Sequence, residues 1–210
     1  MKRITSFLII ALAGISFAHA AGDPEAGKAK AAVCGSCHGA DGNSAAPNFP
    51  KLAGQGAAYT IKQLQDMKDG KRVVNEMVGF LPALDEQGIK DIAAYYESQA
   101  TTLGQADPDL VELGQKLYMG GNMETSVTAC AGCHSPTGKG NGPAAFPALS
   151  GQHPAYIVAQ LQKFREGARH EGAAVADVRV NDANRMMRDI AFKLKDFEIE
   201  ALASYISGLH

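Results

Sequence analysis

The pentapeptide CGSCH runs from Cys34 to His38 and CAGCH from Cys130 to His134, and together they use all four cysteines of a 210-residue chain. Two thiols one helical turn apart can add to the two vinyl groups on neighbouring edges of a porphyrin. The histidine that follows is then placed under the iron as an axial imidazole, which is the c-type haem attachment pattern. Rival readings of the same residues explain less. A structural zinc site would hold its cysteine pairs closer than the 92 residues between Cys37 and Cys130 and would not need a histidine after each. A thioredoxin-like dithiol follows a strand in an α/β unit, whereas alanine-rich helical sequence precedes Cys34. Simple disulfides leave His38 and His134 without a role.

The elements that must position these residues also come twice. FPKLAGQGAAYTIKQLQDMKDG (Phe49 to Gly70) matches FPALSGQHPAYIVAQLQKFREG (Phe146 to Gly167) at a constant offset of 97. Met77 to Tyr96 matches Met187 to Ile206 at an offset of 110, so the second copy carries thirteen extra residues between Gly167 and Met187. Two copies of about ninety residues imply two small domains of one fold, in the size range where a core often needs a cofactor. The boundary falls in TTLGQADPD (Thr101 to Asp109), giving residues 21–103 and 104–210.

Periodicity makes both units helical. Ile89, Ile92, Ala93 and Tyr96 form an i, i+3, i+4, i+7 stripe that Ile199, Leu202, Ala203 and Ile206 repeat. Asp85 and Asp196 stand ahead of these stripes as N-caps, and Gly70 and Gly167 suit the ends of middle helices over Ala57 to Lys68 and Ala155 to Arg165. Leading helices run through PEAGKAKAAV and PDLVELGQKLYM, and no stretch alternates as a strand would. The expected class is all-α.

A c-type iron commonly takes methionine opposite its histidine. Of the seven methionines, Met67 aligns with Phe164 and reads as core, while Met119 and Met123 lie in a loop before Cys130. Met77 and Met187 fall at equivalent positions, seven residues before Leu84 and Leu194, and are the candidate ligands; Met186, aligned with Glu76, stays open as the alternative. His153, His170 and His210 have no counterparts in the first half and read as solvated or loop histidines.

The first twenty residues read as a secretory leader: Lys2 and Arg3, an apolar run from Ile4 to Phe17, and Ala18-His19-Ala20 as the cleavage signal. Export to the periplasm with cleavage after Ala20 is the expectation. Loss of Lys2 and Arg3 leaves 18 basic residues from the original 20 against 22 acidic ones. Such a surface does not suit nucleic acid, whose phosphates are held by basic patches.

With these motifs in place, the chain resembles the class I cytochromes c, and its tandem GQGAAY and GQHPAY blocks resemble the dihaem cytochrome c4 family of periplasmic electron carriers. The resemblance covers Ala21 to His210. It implies two covalently bound haem c groups, with thioethers at Cys34, Cys37, Cys130 and Cys133, proximal ligands His38 and His134, and distal ligands Met77 and Met187. It further implies that the carbonyls of Pro50 and Pro147 accept hydrogen bonds from the proximal imidazoles, and that Gly27 meets Tyr95, and Gly114 meets Tyr205, where the first and last helices of each domain cross. The chain departs from an even repeat in its loops: nine extra residues before Cys130, and the insertion around ARHEGAAVADVRVND.

An iron with both axial positions filled has no place for substrate, so one-electron transfer is the expected function, and not enzymatic catalysis. The resemblance implies a soluble or peripherally membrane-bound carrier moving electrons from a quinol-oxidising complex toward a terminal oxidase. Two alternatives remain at this stage. One is a dihaem peroxidase-like enzyme, in which Met187 is unbound and His170 or nothing replaces it; the other is the haem subunit of a larger oxidoreductase. The unequal loops predict unequal potentials for the two irons.

Overall fold

The computed structural model describes residues 22–170, 172 and 174–210; the expected leader and its expected cleavage site fall outside them. Among the described residues the α-helices are α1 (Pro24–Lys30), α2 (Gly35–His38), α3 (Ala57–Lys68), α4 (Glu86–Glu97), α5 (Pro108–Gly120), α6 (Ala131–His134), α7 (Pro154–Arg169), α8 (Met186–Ala191) and α9 (Asp196–Gly208). Extended pairing among them is limited to two isolated bridges, Asn122 with Val127 and Asn141 with Phe146, so the chain is all-α. The first bridge closes the hairpin made by the extra residues before Cys130.

Helix starts follow from local chemistry. Asp23 accepts from the backbone N–H groups of Glu25 and Ala26, with Pro24 in the first turn of α1. Asp107 and Pro108 repeat the arrangement at α5. Asp85 caps α4 by accepting from Gly88 N at 2.7 Å, as expected. Asp196 does not cap α9. There the Glu198 carboxylate reaches back to the Lys195 N–H at 2.8 Å, and Asp196 pairs instead with Arg165 at 2.7 Å.

Each unit is built on one crossing. α1 packs on α4 and α5 on α9, with α3 laid on α4 and α7 on α9. At the crossing points a Cβ on Gly27 would lie 2.0 Å from the Asp91 carbonyl oxygen and 2.9 Å from Tyr95 Cβ. A Cβ on Gly114 would lie 2.2 Å from Ala201 O and 2.6 Å from Tyr205 Cβ. Glycine therefore sets how closely these helices approach. Behind the crossings lie Ile92 and Tyr96 in the first unit, and Tyr118, Ile199 and Leu202 in the second, all nearly or completely buried. Burying one such aliphatic side chain contributes about 1.5–3 kcal/mol.

Gly70 ends α3 with a left-handed φ of 71°, but Gly167 lies inside α7, which continues to Arg169. A Cβ on Gly167 would meet Arg179 O at 2.2 Å, so this glycine admits the thirteen-residue insertion against the helix. The segment joining the units is tied at both ends. Thr101 and Thr102 bond to Ala53 O and Asn43 Oδ1, whereas from Gly104 onward the bonds go to Ser207 and Ser204.

Two measurements check this account. Gly27→Ala should lower the unfolding free energy by about 1–3 kcal/mol through overpacking, read in urea melts. The second concerns Asp91, 2% exposed, whose carboxyl is held at about 2 by hydrogen bonds from Lys30, the Asp23 N–H and Gln87. A depressed carboxyl contributes its full stability above the unfolded value of 3.8 and loses it as pH falls toward about 2. The difference in urea midpoint between wild type and Asp91→Asn should therefore be largest near neutral pH and shrink between pH values of about 4 and 2.

Candidate haem sites

The cysteine motifs form single helical turns. Cys37 N and His38 N both donate to Cys34 O, at 3.2 and 3.0 Å, and Cys133 N and His134 N both donate to Cys130 O, at 3.2 and 2.9 Å. No disulfide joins the four cysteines. Burial pushes the Cys34 thiol up and raises Cys130 to about 11, the reverse of the low value that a reactive dithiol needs.

The two imidazoles are held alike. His38 Nδ1 donates to Pro50 O at 2.9 Å and His134 Nδ1 donates to Pro147 O at 2.9 Å. A carbonyl can only accept, so the proton resides on Nδ1 and Nε2 keeps its lone pair. Burial pushes both rings below the usual imidazole range, which the proline carbonyls partly offset. A neutral ring with a fixed tautomer is the form that ligates metal. Phe49 and Phe146 contact the rings from equivalent positions, with centroids 6.2 and 6.4 Å away.

Both motifs open into one continuous cavity of ≈ 630 Å³. Met77 lines it as the last residue of a 3₁₀ turn (Asn75–Met77), packed beside Leu64, Leu81 and Ile89. Met187 and Met186 both line it at the start of α8, but Met186 is 38% exposed and Met187 is more covered. That start is clamped from the insertion: Asp182 accepts from Arg188 N at 3.0 Å and from Arg188 Nε at 2.6 Å. Among the described residues the histidines lining the cavity are His38 and His134; His170 is not one of them. His153, expected in a solvated loop, is half-buried and crosses between the units to Ser44 Oγ and Ser44 O, each at 2.9 Å.

Sequence reasoning missed the polar centre of this cavity. Arg72 donates to Gln63 Oε1 at 2.8 Å and to Tyr156 Oη at 3.1 Å. Arg179 donates to Gln160 Oε1 at 3.0 Å and to Tyr59 Oη at 2.9 Å. Tyr59 and Gln63 are the repeat counterparts of Tyr156 and Gln160, so each unit contributes the same pair. The second arginine does not come from the aligned position, Arg169. It comes from the insertion, whose alignment gap hid it. Burial raises the Tyr59 hydroxyl, but the guanidiniums of Arg179 and Arg72 more than offset this and leave it below its usual range. Among the described residues neither arginine has a carboxylate in ion-pair contact.

The cytochrome c family model matches residues 24–100 and 111–210. Cytochrome c4 of Azotobacter vinelandii is 52% identical over the full length of both chains, and cytochrome c4 of Pseudomonas aeruginosa is also 52% identical over the full length of both. The chain belongs to the cytochrome c4 family. The crystal structure of reduced recombinant cytochrome c4 from Pseudomonas stutzeri superposes with a TM-score of 0.83 at 52% identity, covering 90% of this chain and all of the other. Membership makes the chain a dihaem electron carrier with two covalently bound haem c groups.

The residues present fit that cofactor. A haem is an apolar plate edged by two carboxylates. Leu52, Leu64, Ile92, Leu149, Ile157 and Leu202 line the walls, while Arg72 and Arg179 supply cations without partner carboxylates. Among the described residues Tyr96 Oη is buried with only the Cys34 thiol beside it. Arg179→Met should lower the unfolding free energy of the holoprotein by about 3 kcal/mol, because Gln160 and Tyr59 lose charged donors. It should also lower the reduction potential, since losing a nearby cation favours the oxidised state; urea melts and potentiometric titration read the two effects.

Proposed function

We propose that the chain is a periplasmic carrier in which residues 21–103 and 104–210 each hold one haem, exported behind a leader cleaved after Ala20. It takes electrons from a quinol-oxidising complex and delivers them toward a terminal oxidase. Cys34 and Cys37 hold the first haem by thioethers, with His38 and Met77 as axial ligands; Cys130 and Cys133 hold the second, with His134 and Met187. When bound, each haem supplies a one-electron couple. The observation that carries the reading is the duplication of the histidine–proline hydrogen bond at two motifs that share one cavity.

The chain's own residues support a carrier over an enzyme. Pro50 and Pro147 fix the proximal rings before and after electron transfer, which limits reorganisation. Met77 and Met187 line the same cavity as the histidines and would close the remaining coordination positions, and the Asp182 clamp on Arg188 restrains α8 where Met187 begins. Among the described residues no helix is long and apolar enough to cross a membrane.

The intact mass of the protein isolated from periplasm should exceed the chain from Ala21 by two haems, and the oxidised spectrum should show the methionine-to-iron charge-transfer band. Met187→Ala should remove that band from one haem and Met186→Leu should leave it intact. In membranes from the source cell, added quinol should reduce both haems and oxygen should reoxidise them. A product with fewer than two haems, rapid cyanide binding by the wild type, or no reduction by quinol would refute the corresponding part of the proposal.

A further inference from the structure

The interface between the units repeats a connection that runs from each unit into the other's histidine. The peptide joining Pro50 to Lys51 carries two hydrogen bonds. Its oxygen accepts from His38 Nδ1 at 2.9 Å, and its N–H donates to Gln152 Oε1 at 2.9 Å. The peptide joining Pro147 to Ala148 does the same: its oxygen accepts from His134 Nδ1 at 2.9 Å and its N–H donates to Gln55 Oε1 at 2.9 Å. Each glutamine completes the contact by donating its amide N–H to the next carbonyl along, Gln152 to Lys51 O at 2.9 Å and Gln55 to Ala148 O at 3.0 Å. Each amide oxygen also accepts from the backbone N–H that follows it, Gly56 or His153, at 3.1 Å, which fixes the rotamer. Gln55 and Gln152 are both 8% exposed.

A hydrogen bond to the N–H of an amide polarises its carbonyl and strengthens the bond that the oxygen accepts, by roughly 10–30% per bond. A stronger acceptor on Nδ1 makes the imidazole a richer electron donor through Nε2, and a richer ligand stabilises the oxidised metal. The glutamine reaches the ring through a single peptide unit, with no hydrogen bond to the imidazole itself among the described residues.

We propose that Gln55 and Gln152 are crossed positioning residues, each setting the proximal histidine bond, and hence the reduction potential, of the haem in the opposite domain. The proposal rests on His38 and His134 being the axial ligands. A consequence is that separating the units would weaken both histidine bonds at once, which makes the interface part of each redox centre.

The test uses the full-length holoprotein with each haem's potential resolved by NMR signals assigned to its own domain. Gln152→Met, which keeps side-chain length and removes hydrogen bonding, should raise the potential of the first-domain haem and leave the second unchanged; Gln55→Met should do the converse. The Nδ1 proton resonance of His38 should move upfield in Gln152→Met and that of His134 in Gln55→Met. The asparagine variants Gln152→Asn and Gln55→Asn, milder for folding, should show the same crossed pattern at smaller size. His153→Ala, which removes the contact with Ser44 but leaves both peptides bonded, should not reproduce it. Shifts in a variant's own domain, equal shifts in both, no shift, or the same pattern from His153→Ala would overturn the proposal. Should wild type lack histidine-ligated iron, the underlying assignment fails instead, and its spectrum reveals that independently.

Discussion

A carbonyl oxygen offers no proton, and the two hydrogen bonds from His38 and His134 to proline carbonyls draw their consequences from that one-way chemistry. They place the proton on Nδ1, leave Nε2 available, and set the plane of each ring. For those bonds to persist, the loop carrying FP must be held at a fixed distance from the CxxCH turn. The glycine-mediated crossings of α1 with α4 and α5 with α9 supply the frame on which both segments are mounted. The backbone of each loop is then pinned from outside its own unit, by a glutamine amide.

The interface is unusual in what holds it. Substantial helix packing lies within units, and hydrogen bonds across the boundary come from Gln55, Gln152, His153, Arg72, Arg179, Lys62, Asn181 and their partners. Buried polar groups stabilise only when satisfied, and an unpaired one costs about 1–3 kcal/mol. Most of these side chains have several partners, so a small displacement would break many bonds together. That cooperativity favours one relative placement of the two units. The half-buried Arg72 and the buried Arg179 at the centre have no carboxylate in ion-pair contact among the described residues, and a pair of carboxylate-bearing cofactors would bring that charge.

Much of the site was legible because its chemistry is local in sequence. CxxCH spacing lies within one helical turn, and the repeat aligned Pro50 with Pro147 and Met77 with Met187. Helices α4 and α9 followed from periodicity because the apolar stripe of each faces the core of its own unit. Other features depend on distant segments and were not legible. Asp196 looks like a cap until Arg165 takes its carboxylate, and Gly167 looks like a helix stop until the insertion packs on it. Tyr59, Gln63, Tyr156 and Gln160 were visible as repeated letters, yet a conserved spacing within one chain does not tell which polar residues face a partner.

The sequence by itself determined two helical units and two attachment turns, because each of these is set by spacing over a few residues or by the internal repeat, while the ring-orienting prolines were implied by the family resemblance. Tertiary structure decided that Arg179 from the insertion would stand opposite Arg72, that His153 would cross to Ser44, and that each glutamine would grip the peptide behind the other unit's histidine. Such contacts join positions about a hundred residues apart, and their energies depend on burial and on mutual orientation, neither of which a linear pattern encodes.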